Sequence, residues 1–427
     1  MRKLKEELLM KKILSLVLVG VLTLGMTACG SPKSAEDTKS EVTTIKVHSG
    51  NWNRPEESQY IREILVPQFE EENPNIDVEF EFAQNTNDQL KTLEAQKASD
   101  KWEDDVVIIH DGNMGYTIDK GYVTDITEFK NNSGLTFLKA FDESTNMDGK
   151  SYFLPVSADV YLTIVNKEAY DYLPEGIDTQ NLTREDYVAW SNSIREAVGP
   201  KTVLGYEPVK SALYQVGAIG LSYGATFPDV SSEGFKSAMN LVAQMADDYV
   251  ADGAYTGNPT ELLRDGQGLL TFYHMGPVSE VYASAPAQYD VLPAPKGPEG
   301  AGSIAGTWGV GITPGGTKKI EASEKFVEWF TSPKVLLDVV KNTGGTIPPI
   351  KEVIELLDEG DATEVVIMKG LDTLNNGTVS GTGASNYQDF GAVKNVYDSI
   401  LTEVLSTKTV NDEFLNEKQV ELDALLK

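Results

Sequence analysis

One cysteine, three histidines and a shortage of positive charge limit what this chain can do. A lone cysteine excludes an internal disulfide framework, and three scattered histidines leave little for a histidine-rich metal site. With 36 Lys+Arg against 65 Asp+Glu the net charge is −29. Nucleic-acid backbones and anionic lipid surfaces therefore drop out as general partners. There is no HExxH, P-loop, GxSxG or Gly-rich dinucleotide fingerprint after a strand. A glycosidase needs only two well-placed carboxylates, and an acidic chain always offers candidates, but nothing in the spacing supports one. What is present is a globular composition, 41% hydrophobic and 24% charged. At 427 residues the chain exceeds what one core usually serves, so two domains or lobes are expected.

The N-terminus carries the longest apolar run, residues 13–26, which is too short for a comfortable membrane span. Met10-Lys11-Lys12 precedes it and Thr27-Ala28-Cys29-Gly30 follows. A basic start, an apolar core and small residues before a cut form a secretory signal. Cys29 stands where a bacterial lipobox places the residue that receives diacylglycerol, although Met26 departs from the usual Leu. The alternative is a buried thiol that happens to follow a signal core. Residues 1–28 are thus expected to be a lipoprotein signal peptide, with translation beginning at Met10. Their removal takes five positive and two negative charges away and carries the net charge to −32. Residues 29–42 are polar and read as the lipidated cysteine and a flexible tether.

Organisation follows from periodicity. Ile45-Lys46-Val47 opens a strand and runs into the loop 49–53. A helical stretch around Tyr60, Ile61, Ile64 and Leu65 is expected to kink or break at Pro67. Ile76, Val78, Phe80 and Phe82 alternate with acids, a strand with one wet face, whereas Val106-Val107-Ile108-Ile109 is apolar on both faces. Thr183 with Asp186 makes a capping box for a helix through Tyr187, Trp190, Ile194 and Val198. Phe235, Met239, Val242 and Met245 stripe another helix, as do Phe326, Val327 and Phe330. Residues 268–273 and 308–312 read as strands, the C-terminus as helix, and 377–385 as a loop. Strands alternating with helices argue for an α/β fold.

Several motifs then occur in order. They are Val66-Pro67-Gln68-Phe69-Glu70-Glu71-Glu72-Asn73-Pro74-Asn75-Ile76-Asp77-Val78; residues 105–111 with Gly121 and Thr124-Asp125-Ile126-Thr127; Gly149-Lys150-Ser151-Tyr152-Phe153-Leu154-Pro155 leading to Val165-Asn166-Lys167; residues 266–277; Leu292-Pro293-Ala294-Pro295-Lys296-Gly297-Pro298; and Trp308-Gly309-Val310-Gly311-Ile312 with residues 322–332. Their order and spacing resemble the extracellular solute-binding proteins of carbohydrate ABC importers, distantly similar to maltose-binding protein, over nearly the whole mature chain. The resemblance implies a two-lobed, periplasmic-binding-protein-like α/β fold of type II kind, with strands crossing between the lobes at a hinge. Lobe one is expected over 43–155 and 309–364, and lobe two over 156–308 and 365–427, with Leu154-Pro155-Val156 as the first crossing. It implies a monomer without cofactor or metal, held to the outer face of a bacterial cell membrane by lipid on Cys29. Its partners are a mono- or oligosaccharide and the transmembrane permease subunits. A non-sugar solute such as a polyamine, or a surface glycan-active enzyme, are the alternatives.

Sugar recognition asks for aromatic faces against C–H groups, and for carboxylates or amides against neighbouring hydroxyls. Asp111, just past a buried strand, matches a sugar-contacting position of the family, and Asn113 is placed in the same site. The competing reading makes Asp111 a helix N-cap. Asp159, four residues after Pro155, matches a family acid, though a plain hinge acid fits as well. Asn51, Trp52 and Asn53 follow the first strand, and a Trp between two Asn is expected to stack on ligand rather than enter a core. Trp308 stands among small residues, where the family often puts a stacking aromatic. Trp190 and Trp329 are expected in the core, and Trp102 has no clear role. Many relatives carry Trp where Val278 stands, and His274, Tyr214 or Tyr223 can compensate. His110 reads as a strand-end residue. Tyr387 and Gln388 match a region that closes over ligand.

Overall fold

The computed structural model describes residues 42–204, 212–250, 259–382, 387 and 389–426. Cys29, the signal segment, Gln388 and 383–385 of the expected loop lie outside the described residues. Strand β1 (Thr43–Ser49) pairs in parallel with β2 (Ile76–Phe82) and with β3 (Val106–His110). In β2, Val78 and Phe80 are buried while Asp77, Glu79 and Glu81 face water. In β3, Val106 and Ile108 join the main core, and Val107 and Ile109 join a second cluster with Leu93, Met114, Tyr122 and Phe153. That two-sided burial is what an all-apolar strand requires.

A small hairpin, β4 (Asn146–Met147) with β5 (Lys150–Ser151), leads into β6 (Leu154–Asp159). After Val160 the chain enters a second sheet with β7 (Tyr161–Asn166), β8 (Thr202–Leu204), β9 (Leu270–His274) and β10 (Tyr289–Leu292), ordered β10-β7-β9-β8. The first sheet is completed by β11 (Lys296–Gly297), the long β12 (Gly300–Ile312) and β13 (Gly377–Gly381). β12 is the shared element. Its start pairs with β13 and is covered by the helix Ala212–Ser222, and its end pairs with β6 and β3. A Cβ at Gly302 would stand 2.0 Å from the Ala218 carbonyl oxygen, so only glycine lets that helix approach.

Two local expectations are revised. The stretch 377–385 does not remain a loop throughout: residues 377–381 form β13, parallel to β12. Its glycine permits this, because a Cβ at Gly377 would meet the Ala301 carbonyl oxygen at 1.9 Å; small residues here serve close backbone approach rather than flexibility. Nor does the helix break at Pro67. It runs from Pro55–Tyr60 through a π-helical turn, Ile61–Leu65, into Val66–Glu72. The wide turn makes room for a proline ring that a regular helix would press against the preceding turn. The capping box is as expected: Thr183 Oγ1 accepts from the Asp186 N–H at 3.0 Å, and Asp186 Oδ2 accepts from the Thr183 N–H at 3.2 Å.

Candidate ligand-binding cleft

A cleft of about 480 Å³ is lined by residues from both sheets, within the size range of small-molecule sites. The loop after β1 supplies Asn51, Asn53 and Arg54, and the end of β3 supplies His110. Asp159 ends β6 and Tyr161 opens β7, so the crossing itself forms part of the wall. β9 contributes Tyr273 and His274, β12 contributes Trp308, and Tyr214 comes from the helix Ala212–Ser222. Strand ends collect at the cleft, as ligand sites do in open α/β sheets.

Trp308 is half-buried and meets His110 edge-on, with ring centroids 4.9 Å apart at 72°. His110 Nδ1 accepts the Gly112 N–H at 3.1 Å, capping the helix Asp111–Asp119. The same nitrogen lies 3.0 Å from Asp111 Oδ1. Burial lowers the His110 pKa from its ordinary value, outweighing the attraction of Asp111 beside it. Across the cleft, His274 Nε2 lies 3.3 Å from Asp159 Oδ2. Burial works against a charged His274, but Asp159 overcomes it and the pKa is raised. Asp159 is buried, and its Oδ1 has no hydrogen-bond partner. A carboxylate oxygen in that state is an acceptor awaiting a donor, since burying it unpaired costs about 1–3 kcal/mol or more. Burial also pushes the Tyr161 and Tyr214 hydroxyls well above their usual range, so both stay protonated and can donate.

Of the expected ligand contacts, the structure brings Asn51, Asn53, Asp159, Tyr214, His274 and Trp308 to this cleft. Asn53 spends its amide on the Ala83 and Gln84 carbonyls, at 3.2 and 2.9 Å, which pins the loop.

The remaining expectations need correction. Trp52 is 1% exposed and packs on Phe330, with centroids 5.9 Å apart. Its φ of +61° turns the indole inward, leaving Asn51 and Asn53 on the cleft. Asp111 is also buried. Its Oδ2 accepts from Thr382 Oγ1 at 3.0 Å, tying the start of a helix to the chain after β13. It is not the N-cap either, since His110 takes that role. Asn113 sits half-exposed on that helix, outside the cleft lining. Tyr223 donates its hydroxyl to Glu185 Oε1 at 2.6 Å, away from the cleft. Tyr387 is buried, bridged to Leu426. Among Trp52, Asp111 and Trp308, only Trp308 opens on the gap.

The cleft also contains residues that sequence reasoning did not assign to it: His110, Arg54, Glu57, Tyr161, Tyr273, Thr343, Gly344 and Thr346. Arg54 follows Asn53 directly, and the Gly344-Gly345 pair before Thr346 was the available signal for the stretch 343–346. Val278 is fully buried.

The family model of bacterial extracellular solute-binding proteins matches residues 51–336. The chain belongs to that family. The resemblance carried by the ordered motifs is thereby borne out, and the family is one of solute-binding proteins. Solved structures agree on the fold. The maltose-bound MalE3 of T. maritima is 18% identical with a TM-score of 0.73, covering 90% of this chain and 100% of its own. The GacH receptor of Streptomyces glaucescens, solved unliganded and with acarbose, is 18% identical with a TM-score of 0.71, covering 90% and 98%. UgpB of Mycobacterium tuberculosis, in complex with glycerophosphocholine, is 16% identical with a TM-score of 0.70, covering 89% and 98%. The two-lobed α/β architecture is therefore that of the MalE-like binding proteins. No helix among the described residues is long and apolar enough to cross a membrane.

Proposed function

We propose that this protein is the substrate-binding subunit of an ABC importer and captures an uncharged mono- or oligosaccharide in the cleft. The observation that carries this is one wall of mixed chemistry: the Trp308 face beside the unpartnered Asp159 Oδ1, with tyrosine hydroxyls and amides around them. An indole covers the C–H face of a pyranose while a carboxylate oxygen takes a hydroxyl. Three or four such hydrogen bonds at about 1.5–3 kcal/mol, with stacking of about 0.5–1.5 kcal/mol, give about 5–13 kcal/mol, a range that spans the roughly 8 kcal/mol of a micromolar complex and at its upper end also covers closure costs.

In this reading lobe one is 43–155 with 309–364, lobe two is 156–308 with 365–427, and β6–β7 and β12 are the segments that bend. Ligand favours the shut state by its differential affinity, which lets a permease tell loaded from empty. Cys29 carries the lipid, residues 29–42 tether a monomeric body to the outer face of the cell membrane, and the ligand leaves unchanged. A polyamine is disfavoured because the Arg54 guanidinium lines the cleft and repels ammonium groups, and Glu57 already faces it.

The test is calorimetric titration of neutral saccharides, polyols, spermidine and glycerophosphocholine, followed by chromatography of the recovered ligand. Binding of a saccharide recovered intact is expected. Binding of spermidine or glycerophosphocholine alone, or a cleaved product, overturns the reading.

A further inference from the structure

Beside the main cleft lies a second cavity of about 320 Å³, and the two share Arg54, Glu57 and Gly344. Those three residues form the partition. Arg54 precedes the helix Pro55–Tyr60, and its Nη2 donates to Glu57 Oε1 at 2.6 Å. Its Nη1 donates to Glu280 on the helix Met275–Ser284, which packs on the second sheet, so the guanidinium spans from one lobe to the other. Gly344 has φ +102°, and a Cβ there would stand 3.2 Å from Arg54 Nη2. The guanidinium therefore lies close over a backbone that has no side chain to hold it off.

The clamp is asymmetric. Glu57 is 5% exposed, so moving Arg54 away leaves a buried carboxylate without its partner. The Arg54 and Glu280 side chains are 40% and 37% exposed, so the outer half of the pair is screened and weak. Arg54 is thus held by its inner partner and closed off by its outer one. Behind it the second cavity is lined by the hydroxyl-bearing Ser279 and Thr363, and by Lys341, which pairs with Asp361 and Glu364.

We propose that Arg54, clamped between Glu57 and Glu280, is the end wall that sets how long a saccharide the cleft accepts. This rests on the saccharide reading above and adds to it a specificity-determining residue. With the wall in place a chain ends against the guanidinium. With it removed, the two cavities join and a longer chain continues toward Ser279 and Thr363.

The experiment titrates full-length protein, Arg54→Ala and Glu280→Ala with three ladders, each from disaccharide to hexasaccharide: malto-, cello- and mannooligosaccharides. Because Arg54→Ala strands Glu57, the double variant Arg54→Ala/Glu57→Gln is run beside it, and melting is recorded for all. Affinity in the parent protein is expected to fall beyond a certain length. In the variants that fall-off moves at least one sugar unit longer, with the long-to-short affinity ratio raised tenfold or more. A fall-off at the same length in every protein, or none in the parent up to six units, overturns the wall and leaves the saccharide reading standing. Binding of no ladder member by any of the proteins overturns the wall, because no chain then reaches it, while the saccharide reading is decided by the titration described above.

Discussion

Two tryptophans, one just past a strand and one within another, each beside small or polar residues, do opposite things. Trp52 sits between Asn51 and Asn53 after β1 and is 1% exposed, while Trp308 sits between Thr307 and Gly309 on β12 and is half-buried at the cleft. The difference is made by what lies beneath. Under the β1 loop the helix Ile320–Phe330 offers Phe330 and Phe326, which stack on each other, and the indole joins them. A left-handed backbone at Trp52 costs about 1–2 kcal/mol. Burying roughly 200 Å² of indole offsets that with about 5 kcal/mol. Trp308 has Gly50 and His110 beside it instead, and a Cβ at Gly50 would stand 3.4 Å from its ring. It packs against the core while also lining the cleft. The same residue type is an anchor in one place and a platform in the other.

The largest expected effect separates them. Trp52→Ala removes a core aromatic and is expected to cost about 3–5 kcal/mol of stability. In a chain of this size that is a fall in Tm of roughly 3–6 degrees. The sequence reading of Trp52 as a ligand platform implies the reverse, lost affinity with an unchanged melting curve. Thermal melting with titration of whichever saccharide binds decides between them, and an unmoved Tm would return Trp52 to the ligand.

The two aspartates sharpen the contrast. Asp159→Ala is expected to weaken ligand binding by 10- to 100-fold, about 1.5–3 kcal/mol for a hydrogen bond to a charged group. Asp111→Ala leaves Thr382 without its acceptor and is expected to lower Tm while changing affinity by less than threefold. Equal losses of affinity in both would mean that Asp111 reaches the ligand. Trp308→Ala comes next, at about tenfold in Kd, or about 1.4 kcal/mol, with Tm nearly constant.

These pairs show why part of the molecule was legible and part was not. Strands such as β2 and β3 were readable because their own residues alternate, or fail to, against solvent. The Thr183–Asp186 box was readable because both partners lie within one turn. Trp52, Asp111 and Tyr223 were misread because their partners, Phe330, Thr382 and Glu185, come from other elements, and no local pattern names them. Arg54 escaped for the same reason: its meaning depends on Glu280, 226 residues away. β13 was hidden because its glycine and small polar residues carry no strand signature until β12 lies against them.

The smallest expected effect is also the one with a built-in control, because the two cleft histidines are displaced in opposite directions. His274 is raised, so between the ordinary imidazole value and its own the folded state binds the extra proton. Its pairing with Asp159 therefore stabilises the protein fully at lower pH and fades as pH rises through the elevated value. His110 is lowered, so between its own value and the ordinary one the unfolded state binds the extra proton. Its contribution is then lost as pH falls through that window, and stability there rises with pH. Neither slope can exceed about 1.4 kcal/mol per pH unit, and the half-open His274 ring lies well inside that limit because water screens it. Denaturant unfolding from pH 5 to 8 of the parent, His274→Gln and His110→Gln is the measurement. The difference curves against the parent should slope with opposite signs. Two curves of the same sign would show that the two rings are not displaced in opposite directions.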